Sequence, residues 1–130
     1  MGLQFQFDES SRVLLVQLDG QLTDEAAIEC YEIVEAYAVE KKISAGIFDL
    51  SAVTSFPVSS ELVRQLARRP PKVSGRIPRI IVSPHIVAFG LLRMFQLVAD
   101  LHRPNFHVVR RMEHALKMLH VRSPEFHVLV

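Results

Sequence analysis

One cysteine, no tryptophan, five glycines and the lack of a long uninterrupted apolar run limit what this 130-residue chain can be. Cys30 alone closes no internal disulfide, which points to a reducing cytoplasm and to a fold held by its core. A lone thiol also offers no thiolate cluster, and none of the six histidines stands at a ligand spacing such as His-Glu-x-x-His, so neither metal nor cofactor is expected. Met1-Gly2-Leu3-Gln4-Phe5 has no basic stretch leading into an apolar run, so no leader is expected. The most apolar stretch, 86–101, is broken by Arg93, Gln96 and Asp100 and falls short of the roughly 20 residues that cross a bilayer, which excludes a membrane span. There is no Gly-rich phosphate loop. Few aromatics interleave the densest basic run, Arg64, Arg68, Arg69, Lys72, Arg76 and Arg79, which therefore reads as a solvated face and not as a nucleic-acid site.

What is present is globular. Hydrophobic residues make up 49% of the chain and charged residues 22%, and the length suffices for one core, so a single domain over 1–130 is expected. The net charge is +1, yet residues 1–61 hold 3 Lys/Arg against 11 Asp/Glu, while 62–130 hold 12 against 3. If these halves form separate faces they favour an anionic partner or head-to-tail self-association; if folding mixes them, no patch remains.

Leu3, Phe5 and Phe7 alternate with polar residues, Asp8-Glu9-Ser10-Ser11 makes a turn, and Val13 to Leu18 is apolar, which predicts a β-hairpin. Asp19-Gly20 stops the second strand. Thr23 or Asp24 caps a helix to about Lys42, with Ala27, Tyr31, Val34 and Ala38 on one face and Glu25, Glu29, Glu32 and Glu40 opposite, the pattern of a helix lying on a sheet. Ala45 to Leu50 is short and nearly all apolar, as in a central strand covered on both sides. A loop through Thr54-Ser55-Phe56-Pro57 leads to a helix from Ser59 or Ser60 that Pro70-Pro71 ends. Arg79 to Ser83 is the next buried strand, with Ser83 as cap and Pro84 as first residue of a helix of about four turns. Phe106 to Val109 forms a last strand, and Met112, Ala115, Leu116 and Leu119 form the apolar face of a terminal helix. The tail from Pro124 to Val130 reads equally as a short strand or as a strap. The class is α/β: an N-terminal β-hairpin, then βα units, in a mixed, mostly parallel sheet with helices packed on it.

Asp49-Leu50-Ser51-Ala52-Val53, followed by Ser59-Ser60 opening a helix, resembles the motif of the STAS domain of sulfate transporters and anti-sigma factor antagonists. The stretches from Ser83 to Phe95 and from Arg110 to Leu116 resemble the small stand-alone bacterial branch, the STAS-like or anti-sigma-factor-antagonist-like proteins. The resemblance implies a phosphorylatable serine at the start of that helix, nearest to Ser59 here, and a kinase or regulator as partner. The family usually has Asp directly before this serine and Gly after the pair; this chain has Pro57-Val58 before and Glu61 after. A phosphate there would be favoured by free amides and the helix dipole, and the same serine also serves simply as a cap.

Open parallel sheets bind ligands beyond the carboxyl ends of their strands. That edge collects Ser51, Thr54, Ser59, Ser60, Ser83 and His85, with Arg93 nearby, as a candidate site for an anion or nucleotide, or as a solvated loop edge. Cys30 reads as a small buried thiol without a basic helper. The helix over 86–101 has only a narrow polar stripe, into which Phe89 falls, so Phe89, Leu92 and Phe95 are candidates for a homodimer or partner interface, unless the tail covers them. The leading expectation is a non-enzymatic regulatory or protein-interaction module. The alternative is a carrier for an apolar molecule or nucleotide, since the STAS-like fold resembles Sec14-type lipid-binding domains, with an apolar pocket expected between Phe89, Met94, Phe95 and the sheet. A third reading, a hydrolase, needs Ser59 or Ser83 within hydrogen-bond reach of His85.

Overall fold

The computed structural model describes residues 2–68, 77–85, 89–90, 93 and 105–129. The alternating start folds as strand β1 (Gly2–Asp8), paired antiparallel with β2 (Val13–Gln21) in the register Phe5 to Val16 and Phe7 to Leu14. Arg12 closes the turn with a left-handed φ of 58°, its N–H donating to the Asp8 carbonyl at 2.7 Å. Helix α1 (Asp24–Lys41) starts where Thr23 accepts a hydrogen bond from the Ala26 N–H at its Oγ1, 3.1 Å away. That cap satisfies one of the helix's free amides, and Asp24 and Glu25 in the first turn suit the dipole. Lys42 ends the helix in the left-handed region.

Strand β3 (Ala45–Ser55), helix α2 (Ser60–Arg68) and strand β4 (Arg79–Val82) follow, then β5 (Phe106–Val109), helix α3 (Met112–Met118) and β6 (His127–Val128). The sheet order is β5-β4-β3-β2-β1-β6; β2 to β5 run parallel, while β1 is antiparallel to both its neighbours. Thus β3 is interior, as its apolar run requires. The tail is a strand and not only a strap: His127 and Val128 pair with Phe7 and Gln6, and the Leu129 N–H donates to the Phe5 carbonyl at 2.7 Å.

Both faces are covered. On one, Phe5, Phe7, Leu14, Val16, Leu18, Leu50 and Ile81 meet Cys30 and Ala38 of α1 and Leu62, Val63 and Leu66 of α2. On the other, Val13, Leu15, Ala45, Ile47, Ile80 and Val82 pack with Ala115 of α3. Each fully buried Leu, Ile or Val side chain contributes about 1.5–3 kcal/mol by leaving water, so burial from Val13 to Val16 without a break makes β2 a principal source of stability.

Two strand ends differ from expectation. Asp19-Gly20 does not stop β2, and β3 does not end at Leu50. The two strands extend together, Asp19 opposite Ala52 and Gln21 opposite Ser55, through two register shifts. Gly20, at φ 80°, supplies the backbone freedom that such an irregularity needs. The basic run also divides. Arg64 is exposed and pairs with Glu61 at 3.7 Å, whereas Arg79 is half-buried at the start of β4 and is no part of a solvated face. Arg69, Lys72 and Arg76, and the prolines at 70 and 71, lie outside the described residues. Among the described residues no helix is long and apolar enough to cross a membrane.

Candidate functional site

Because β2, β3 and β4 are parallel, the segments leaving them all start at the same edge of the sheet. Asp24 opens α1 after β2, Ser59 stands before α2 after β3, and Ser83 to His85 follow β4. The topology therefore brings together residues far apart in the chain. Asp24 and Ser59, 35 positions apart, are joined by two hydrogen bonds: the Ser59 N–H donates to Asp24 Oδ1 at 2.7 Å and its hydroxyl donates to Oδ2 at 3.0 Å. The same Oγ accepts from the Leu62 N–H at 3.1 Å, so Ser59, not Ser60, is the N-cap of α2. One exposed hydroxyl thus caps α2 and ties its start to the start of α1.

The other expected residues divide. Thr54 and Ser60 are exposed at this edge. Ser51 donates its N–H to Asp49 Oδ1 at 3.0 Å and lines, with Gln17 and Asp19, a mixed hollow to which Ser59 and Asp24 do not belong. Ser83 does not act as a cap on an open edge: its N–H continues the β4–β5 ladder to the Val109 carbonyl at 2.9 Å, and its hydroxyl is buried without a hydrogen bond. His85 is exposed, its ring edge-on to Phe56 at 5.8 Å. Neither Ser59 nor Ser83 bonds to His85, so the geometry a serine hydrolase needs is not formed by these groups. Arg93 is exposed. Phe89 is half-buried under the Arg110 guanidinium, 5.7 Å from the ring centre, and Arg110 Nη2 donates to the Pro84 carbonyl at 2.8 Å. Leu92 and Phe95, and the pocket expected at Met94, lie outside the described residues.

Cys30 is buried against the sheet; burial, aided by the Glu29 charge, pushes its thiol up to about 12, so it is no nucleophile at neutral pH. Among the described residues no group of three or more His, Cys, Asp or Glu side chains is placed to hold a metal. Two residues here are not singled out as site residues by the sequence: Asp24, whose pattern marks it only as a cap or first-turn acid of α1, and Glu35, which lies on the sheet side of α1. Both signals were available, since Asp24 opens a helix at the edge where Ser59 opens the next, and Glu35 is four residues after Tyr31 on the apolar face.

No family model matches the chain and no curated protein matches it. Solved structures do. The phosphorylated form of the Bacillus cell fate determinant SpoIIAA is 16% identical with a TM-score of 0.58, the match covering 91% of this chain and 99% of that one. An uncharacterised protein of the DUF3478 family with a SpoIIAA-like fold, from Shewanella loihica PV-4, is 16% identical with a TM-score of 0.54, covering 91% and 92%. The likeness shows the fold: this chain, with its hairpin-led mixed sheet, has a SpoIIAA-like fold.

Proposed function

We propose that this domain is a cytoplasmic regulatory module, not an enzyme, that acts through protein contacts around 54–60, with Ser59 as the acceptor for a partner kinase. The observation that carries the reading is the double tie of the exposed Ser59 to Asp24. A phosphate on Oγ carries a charge of about −1.5 to −2 at neutral pH. It removes the hydroxyl proton that Asp24 accepts and sets an anion against that carboxylate, while the free amides of α2 favour it. The tie between α1 and α2 becomes a repulsion, and the surface a partner reads changes. Support from the fold is that SpoIIAA has been solved in a phosphorylated form.

Native mass spectrometry of the protein from its own host, followed by peptide mapping, tests this. The expected result is a phosphorylated fraction localised to Ser59 and lost in Ser59→Ala. An unmodified Ser59 under every growth condition, with a Ser59→Asp variant that keeps all the partners of the parent, would overturn it. The same spectrum counts subunits, and a homodimer is the expected state.

A further inference from the structure

Between α1, α2 and the sheet lies a pocket of about 160 Å³ that is partly open to solvent. Its walls are almost wholly apolar, among them Leu18, Val34, Ala38, Phe48, Leu66 and Ile81. Protein interiors are close-packed, so an apolar hollow of this size cut into the core is uncommon. An engineered cavity of about 150 Å³ with similar walls stays dry and takes up benzene, which sets the scale of a fitting guest at roughly six to ten heavy atoms.

Two charged residues also line the cavity, Glu35 from α1 and Arg79 from β4. Glu35 Oε2 is buried and has no hydrogen-bond partner. Leaving a carboxylate oxygen buried without a donor is costly, and a guest with an O–H or N–H at one end would supply that donor. Arg79 does not pair directly with Glu35; its Nη1 leans on the Ile77 carbonyl at 3.5 Å. Burial lowers the guanidinium's pKa, and the Glu35 charge opposes that shift. The cavity thus combines an apolar body with the Glu35 carboxylate beside a cation, and the Tyr31 side chain lies on the same wall.

We infer that this cavity binds a compact, ring-sized apolar molecule carrying one hydrogen-bond donor, which it presents to Glu35. Phenol and toluene, equal in shape and differing in that donor, are the probes, titrated into the intact protein and followed by calorimetry and amide chemical shifts. Phenol is expected to saturate one site at least about fivefold more tightly than toluene, the equivalent of one net hydrogen bond. Glu35→Leu should abolish that preference while toluene still binds. Ala38→Leu, which fills the cavity, should block both probes and unfold at or above the parent temperature. If Ala38→Leu does not fold, Ala27→Leu on the same wall takes its place. Absence of saturable binding, unchanged binding in the filled variant, or a preference that survives Glu35→Leu would each overturn the inference.

Discussion

Ser59→Asp puts a permanent charge where the phosphate is proposed to go, and its effect can be worked out from the three bonds at that serine. The new carboxylate still accepts from the Leu62 N–H, so the cap survives. What is lost is the hydroxyl donor to Asp24 Oδ2, 3.0 Å away, and what is gained is a second anion facing the first. Two like charges 4 Å apart repel by about 1 kcal/mol in bulk water and about 4 kcal/mol at an effective dielectric of 20. Ser59 is exposed and Asp24 only half-buried, which places the cost at about 1–2 kcal/mol. In a background of Asp24→Asn the repulsion is gone, and Ser59→Asp should then cost almost nothing. Urea unfolding of the four proteins closes the cycle, with an expected coupling of about 1 kcal/mol that shrinks in 1 M salt, where the screening length is about 3 Å. Additivity within about 0.3 kcal/mol, or a coupling indifferent to salt, would show that the two side chains do not communicate in solution.

Asp8 accepts from the Ser11 hydroxyl, the Ser11 N–H at 3.2 Å and the Glu125 N–H at 3.3 Å, bonding the hairpin turn to the segment before β6. The Ser11 hydroxyl is the main cause that holds its carboxyl below the ordinary 3.8, against desolvation. Folding therefore favours the ionised form: the stabilisation is complete above the unfolded value and disappears as pH falls through the folded one. Asp8→Asn should be less stable than the parent at pH 6, with the gap closing below pH 4; a gap constant from pH 3 to 7 would refute the assignment. Cys30, with its thiol pushed up to about 12, should resist a thiol reagent at pH 8 in the native protein and react at once in denaturant; fast stoichiometric labelling of the folded chain would contradict its burial.

The elements that were legible in the sequence are those specified locally. Leu3, Phe5 and Phe7 alternate because one face of β1 is buried, and Thr23 caps α1 through its own neighbour three residues on. The joint extension of β2 and β3 was not legible. Ser51, Ala52 and Thr54 are exposed, so no apolar period marks them as strand, and their pairing depends on a shifted register that a long-range partner imposes. The tail shows the same limit, because two residues carry too little pattern to distinguish a strand from a strap until β1 is there to receive them.

The same division applies to the site. A serine before a helix announces a cap, so Ser59 could be read directly, but the carboxylate that completes it comes from the start of another helix. Asp24 becomes its neighbour only because β2 and β3 are adjacent and parallel, which makes both following helices begin at one edge. Glu35 was hidden for a different reason. Its place on the helix wheel, next to Tyr31 at the border of the apolar face, puts it on the sheet side, yet a glutamate in a solvent-rich helix is assigned to water by its charge. The position should have outweighed the residue type. A helix can turn an acid inward only where the sheet leaves room, and the space beneath Glu35 is the cavity it lines together with Arg79 and a mostly apolar wall.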